Sequence, residues 1–214
     1  MARFAAVVWD FGGVITSSPF EAFARFEAAH GLPGGFLRRV NATNPDTNAW
    51  ARLERSEIDA AAFDSLFAAE SAALGHRVRG ADVLPLLAGT VRPRMVAALD
   101  SCRAAGLRLG CITNNARVGE GPGMAAAGRA AELAAVFARF DHVIESSEAG
   151  VRKPDPAIYR MMLDRLGLPA CACIYLDDLG INCKPAAALG MTAIKVTGEE
   201  EALAALGALL GLAL

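Results

Sequence analysis

The chain has 214 residues, with 21 Lys and Arg against 23 Asp and Glu for a formal net charge of −2. At 54% hydrophobic and 21% charged it is long and apolar enough for one full α/β core with a modest accessory unit, and too apolar to be disordered. The near-neutral balance argues against a nucleic-acid partner or a membrane-surface footprint.

Phe4 to Trp9 is an unbroken apolar run, the pattern of a strand buried on both faces. It ends in Asp10, and Gly12 and Gly13 then let the chain turn sharply beside a ligand. Residues 17–89 lack strand character. Phe20, Phe23, Phe26 and Glu27 begin an amphipathic helix ending near His30-Gly31, and Pro33-Gly34-Gly35 breaks the chain. Asp46 or Thr47 is placed to cap a helix through Trp50 and Leu53. Ile58, Phe63, Leu66, Phe67 and Leu74 mark another helix, closed by Gly75. This stretch reads as a small helical module with its own aromatic core.

Arg92-Pro93 opens a helix through Val96, Leu99 and Cys102 that stops at Gly106. Leu107 to Thr113 is the second strand, Asn114-Asn115 a polar loop at its end, and Gly119 to Gly123 a mobile loop. A helix from about Met124 to Ala138 and a short strand, His142 to Glu145, follow. Asp155 is a good N-cap and Pro156 a good first residue for a helix that stops at Gly167. Cys173 to Asp177 is the fourth strand, Asn182 is placed to cap a helix closed by Gly190, and Thr192 to Val196 is the fifth strand. Glu199, Glu200 and Glu201 suit the first turn of a last helix. Alternating strands and helices imply a doubly wound, Rossmann-like parallel sheet. The expected division is a core of residues 1–16 and 90–214 with a helical cap, 17–89, inserted after the first strand.

The five cysteines are odd in number and form no Cys-x-x-Cys pair, so they read as free thiols in a reducing compartment. The first apolar run leads straight into Asp10 rather than a cleavage site, and Ala202 to Leu214 is too short for a span. A cytoplasmic protein is the expectation.

Four polar positions interrupt the apolar domain at strand ends or helix starts: Asp10, Thr113-Asn114, Lys153 and Asp177-Asp178. In a doubly wound sheet they converge on one crevice. Together they suit a phosphate ester handled by a covalent carboxylate nucleophile. Asp10 and Asp178, a backbone carbonyl and waters suit Mg²⁺. Lys153, one of three lysines in the chain, offsets the crowded negative charge. Thr113 and the Asn114 amide are placed to donate to phosphate oxygens.

Asp10-Phe11-Gly12-Gly13-Val14, Thr113-Asn114, Lys153-Pro154 and Asp177-Asp178, in this order, resemble the motifs of the haloacid dehalogenase superfamily of hydrolases. The run Leu176 to Ala186 is similar to the phosphatase domain at the N-terminus of soluble epoxide hydrolases and its bacterial relatives. The resemblance implies Asp10 as nucleophile, Lys153 as stabilising lysine, Asp178 as the main metal carboxylate, and the Gly12 carbonyl as a backbone metal ligand. Asp177 would bind through water or orient its neighbour. The activity implied is a Mg²⁺-dependent phosphatase acting on a small metabolite.

The pattern departs from the family at one residue. Family phosphatases carry a second Asp two positions after the nucleophile, as general acid and base; here that position is Gly12. A substitute acid from the cap (His30 among the candidates), a leaving group that needs little protonation, a metal-independent dehalogenase, or a non-catalytic phosphate- or partner-binding module each accommodate the change. The phosphonate-cleaving branch uses a cap lysine, and residues 17–89 contain none. Thr16 and Ser17 lie at the hinge to the cap, and Asn115 and Arg117 are placed to line the pocket entrance.

Overall fold

A computed structural model describes residues 3–115 and 129–214. At its centre is β1 (Ala6–Trp9), whose four residues are all buried. It pairs in parallel with β2 (Arg108–Thr113) on one side and β4 (Cys173–Asp177) on the other. β3 (His142–Glu145) and β5 (Thr192–Lys195) complete a five-stranded sheet in the order β3-β2-β1-β4-β5. The strand order reverses between β1 and β4, and the carboxyl ends on either side of such a reversal form a crevice.

Side chains alternate across the sheet and build a layer on each face. Val7, Trp9, Leu109, Cys111, Ile174 and Leu176 pack against α6 (Pro93–Ala104), α7 (Ala130–Phe137) and α11 (Glu199–Leu210). Ala6, Val8, Ile112, Ile144 and Tyr175 pack against α9 (Pro156–Leu166) and α10 (Gly180–Ala188). The α/β class expected from the sequence is the class found. Asp155 caps α9 by accepting from the Ala157 N–H, Pro156 opens it, and Gly167 closes it in the left-handed region.

Between β1 and α6 run α1 (Pro19–Ala29), α2 (Phe36–Ala42), α3 (Ala49–Glu54), α4 (Ala60–Ala73), α5 (Gly80–Val83) and a 3₁₀ turn, Leu84–Leu87. They gather around a core of their own that includes Phe23, Phe36, Leu37, Phe63 and Phe67. The buried Glu27 carboxylate accepts from the Gly35 and Leu37 N–H groups at the start of α2, satisfying donors that the helix itself leaves open. Asn48, rather than Asp46 or Thr47, caps α3: its Oδ1 accepts from Ala51 N–H while its Nδ2 donates to the Asn41 and Thr43 carbonyls. Ile58 precedes α4, which begins after the Asp59 cap. The sequence expectation had no counterpart to α2, α5 or α8 (Ser146–Ala149), each at most two turns long.

The two chains linking this insert to the sheet are tied side by side. Ser17 N–H donates to Thr90 O, Thr90 N–H to Ser17 Oγ, and Arg92 N–H to Ile15 O. Among the described residues no helix is long and apolar enough to cross a membrane. Arg117, the expected loop at Gly119–Gly123 and the start of the helix expected from Met124 lie outside the described residues.

Candidate active site

Asp10 follows β1 directly and opens a wide turn closed by Thr16 N–H donating to Phe11 O at 3.0 Å. Phe11 stacks on Phe137 of α7, ring centroids 4.3 Å apart, which pins the turn to the core. Gly13 has φ of +78°, and a Cβ there would lie 2.2 Å from Asp178 Oδ2. The turn therefore needs glycine at 13 twice over, for its dihedral and for the approach of the second carboxylate. Gly12 differs. Its φ and ψ of −69° and 130° are open to any residue, and a Cβ would meet nothing within 4 Å.

Lys153 reaches this turn from the start of the α9 segment. Its Nζ donates to Asp10 Oδ1 at 2.6 Å and to Asp177 Oδ2 at 2.9 Å, and its side chain is 1% exposed. Asn114 clamps the lysine's backbone: Lys153 N–H donates to Asn114 Oδ1, and Asn114 Nδ2 donates to Lys153 O. Burial alone would press the Lys153 ammonium down. The charges of Asp10 and Asp177 outweigh it and hold the group above its ordinary value, so it stays protonated.

Asp177 is saturated with donors. Its Oδ2 accepts from Lys153 Nζ, from the Tyr175 hydroxyl at 2.5 Å and from Asn182 Nδ2; its Oδ1 accepts from Leu179 N–H and again from Asn182. Such a carboxylate serves to orient the lysine and has little capacity left for a metal. Asp10 is different: burial raises its carboxyl well above the ordinary value, Lys153 opposes that, and Asp177 and Asp178 add to it. Asp178 is pushed up to about 6 by burial and by Asp177, against Lys153 and the Ser18 hydroxyl that donates to it at 3.4 Å.

Oxygens of Asp10, Asp177 and Asp178 all lie within 4.8 Å of one another. One lysine stands against three acids, and the donor set is purely carboxylate. That excess of negative charge and hard oxygen suits Mg²⁺, with Asp10 and Asp178 as the carboxylates free to hold it.

Several residues stand elsewhere than expected. Asn182 does not cap a helix: α10 begins at Gly180, and the Asn182 amide points back to Asp177 from within the first turn. The Asn114 side-chain amide holds the Lys153 backbone at both ends, a positioning contact that the sequence did not show. Asn115 is buried and bonded to Glu145, Ser146 and Ser147. His30 ends α1 with its Nδ1 on Phe26 O, about 18 Å along the axis from Ser18 at 1.5 Å per residue, too far to serve as a substitute acid. Thr16 and Ser17 belong to the hinge hydrogen bonds. Thr113 is buried at the end of β2, opposite Glu145.

Sequence reasoning missed Tyr175, Ser18 and Arg92, whose Nη1 donates to Gly13 O at 3.0 Å. For Tyr175 a signal existed: two positions before Asp177 on a strand, it shares that residue's face.

The family model described as haloacid dehalogenase-like hydrolase matches residues 4–190. The chain is 33% identical over 213 residues to mouse (Mus musculus) acyl-CoA dehydrogenase family member 10, covering 97% of this chain and 19% of that protein. It is 29% identical over 214 residues to pig (Sus scrofa) bifunctional epoxide hydrolase 2, covering 92% of this chain and 37% of that one. It thus spans well under half the length of both. Phosphatase MT3486 of Mycobacterium tuberculosis is 28% identical over 229 residues, covering 96% of each chain. A haloacid dehalogenase family enzyme of Bacteroides thetaiotaomicron, solved with magnesium and inorganic phosphate, shares the fold at a TM-score of 0.57 and 17% identity, over 90% of this chain and 93% of that one.

Proposed function

The chain belongs to the haloacid dehalogenase-like hydrolase family, and we propose that within it the protein is a Mg²⁺-dependent phosphomonoesterase that carries the phosphoryl group on Asp10. The observation behind this reading is the convergence of Asp10, Asp177 and Asp178 around the buried Lys153. The mycobacterial relative named a phosphatase, and the Bacteroides enzyme that binds magnesium and phosphate, support it.

In this reading Asp10 Oδ1 is held by Lys153 and by Phe11 N–H, which selects Oδ2 as the attacking oxygen. Oδ2 forms a bond to phosphorus as the bond to the leaving oxygen breaks. Water then attacks the phosphorus, the bond to Asp10 breaks, and inorganic phosphate departs. Lys153 steadies the nucleophile and faces the phosphoryl oxygens, while Asp177 fixes the lysine. Asp10, Asp178 and the Gly12 carbonyl would hold Mg²⁺, which supplies neutralisation of the phosphoryl charge. Thr113 completes the phosphate contacts. The helical insert serves as the cap over the crevice, with the chain divided at 16/17 and 89/90.

Gly12 offers no side chain to protonate the leaving oxygen, an omission that typically costs 10²–10⁴-fold, roughly 3–5 kcal/mol of barrier. The substrate class that fits is a small phosphorylated metabolite whose leaving group departs with little help, such as an acyl, aryl or anomeric phosphate. Halide displacement also needs no proton, but it needs no metal and so leaves Asp178, beside Asp177 and Asp10, without a use. The test is a panel of phosphomonoesters and a 2-haloacid, run with and without Mg²⁺, with Asp10→Asn as the blank. Phosphate release that needs both Asp10 and Mg²⁺ is expected. Halide release without metal, or turnover by Asp10→Asn, overturns the reading.

A further inference from the structure

Away from the hinge, four hydrogen bonds among the described residues join the helical insert to the sheet domain, three at the end of α3 and one at Pro45, ahead of its start. Arg152 Nε donates to Glu54 Oε2 at 2.5 Å, and Arg152 Nη1 to Pro45 O at 3.0 Å. Ser146 Oγ donates to Glu54 O at 2.7 Å, and Ser56 Oγ to Ser147 O at 2.9 Å. The ion pair at their centre is largely shielded, with side-chain exposures of 18% and 11%. Trp50 Nε1 donates to the second Glu54 oxygen at 3.0 Å, so the carboxylate is held from the insert's side as well.

Position gives this pair its interest. Arg152 is the chain neighbour of Lys153, so the contact lies one residue along the chain from the lysine that holds Asp10. The hinge at residues 16–18 and 89–92 is two strands wide, and a unit held only there is free to swing. Burial raises the Glu54 carboxyl above its ordinary value while Arg152 pulls it back. Neither charge has much water to replace its partner while the two units touch, and separating them means rehydrating both.

We propose that Arg152 and Glu54 form a latch that holds the helical insert shut over the crevice, and that they are positioning residues for the reaction at Asp10. They touch no reacting atom. They set the fraction of molecules in which the insert is closed, and a closed-state requirement scales apparent affinity by that fraction.

The experiment compares Arg152→Glu, Glu54→Arg and the double exchange Arg152→Glu/Glu54→Arg by two readouts. The first is amide hydrogen exchange, which needs no turnover. Each single variant should exchange about tenfold faster over residues 45–57 and 146–149, with β1 and β4 unchanged, and the double variant should return toward the parent. The second, which rests on the phosphatase reading, is steady-state hydrolysis of p-nitrophenyl phosphate. There KM should rise about tenfold in the single variants with kcat within twofold, and the double variant should recover. A merely structural defect would lower kcat at constant KM. If a single variant loses protection throughout the sheet, Arg152→Gln is read in its place. Unchanged exchange over 45–57, or additive losses in the double variant, overturns the latch. Absence of any phosphatase activity overturns the function and leaves the exchange result to stand alone.

Discussion

The Lys153 ammonium lies 2.6 Å from the Asp10 carboxylate, and both side chains are shut away from water. The same nitrogen reaches Asp177 at 2.9 Å, so one cation joins the ends of the two strands at which the sheet order reverses. Everything else at the site follows from this arrangement, because among the described residues the remaining acid, Asp178, has no cation at such range.

Lys153→Met keeps the side-chain length and removes the charge. Removing one partner of a buried ion pair typically costs about 3–5 kcal/mol. The stranded carboxylates can recover part of that by taking up protons. The variant should therefore lose stability strongly at pH 7.5 and less at pH 5, while activity falls below detection. Urea unfolding at the two pH values checks the claim, and an equal loss at both would count against it.

Asp178 gives the pH dependence its sign. Its folded-state pKa is about 6 against an ordinary value of 3.8, so the folded form binds its proton more tightly than the unfolded chain does. Stability from this group is present below about pH 4 and is lost as pH rises through about 6, a loss of about 3 kcal/mol at 1.36 kcal/mol per unit. Asp10 shifts in the same direction. In EDTA, Asp178→Asn should flatten the decline in Tm between pH 5 and 7.5. Mg²⁺ should raise the Tm of the parent protein at pH 7.5, where the carboxylates are ionised, through a stabilisation of about 2.7 kcal/mol at a hundredfold excess over Kd. The gain should vanish near pH 5. A Tm indifferent to Mg²⁺ at pH 7.5 would remove the metal from the site.

Tyr175→Phe deletes one donor from the saturated Asp177 and leaves the ring in place. A hydrogen bond to a charged group contributes about 1.5–3 kcal/mol. The variant should be destabilised by that amount and lose activity only in part, since Lys153, Leu179 and Asn182 still hold Asp177. Chemical unfolding and kcat on one aryl phosphate are sufficient, and loss of activity as complete as in Asp10→Asn would give Tyr175 a larger role.

The parts of the site that were legible in the sequence are those with local causes. An apolar run ending in one acid, then glycines, marks Asp10 without any partner in view. Asp155-Pro156 and Gly167 bracket α9 by capping chemistry alone. What sequence hid depends on contacts between distant segments. Asn182 could only be read as a cap, because the bond from Leu179 N–H to Asp177 Oδ1 that lets the helix start earlier is a product of the folded strand end. Asn48 is chosen over its neighbours at α3 by carbonyls at Asn41 and Thr43. Glu54 and Arg152, 98 positions apart, carry no mark in either local sequence.

Gly12 is the position at which the chain invites repair. Its backbone is in a region open to any residue and the space a Cβ would occupy is clear, in contrast to Gly13, which is locked by Asp178. An aspartate at 12 would place a carboxyl two residues after the nucleophile, on a Cβ that meets nothing within 4 Å. If the missing proton donor limits the enzyme, Gly12→Asp should accelerate hydrolysis of alkyl phosphates, whose leaving group needs protonation, by about 10²-fold or more. Aryl phosphates, whose leaving group does not, should change little. The parent protein should accordingly prefer aryl or anomeric esters, and the variant should lose that preference. Ratios of kcat/KM for a matched aryl and alkyl pair, measured in both proteins, decide the matter. A ratio that is near one in the parent, or unaltered by the substitution, would mean that the proton reaches the leaving oxygen by a route independent of residue 12.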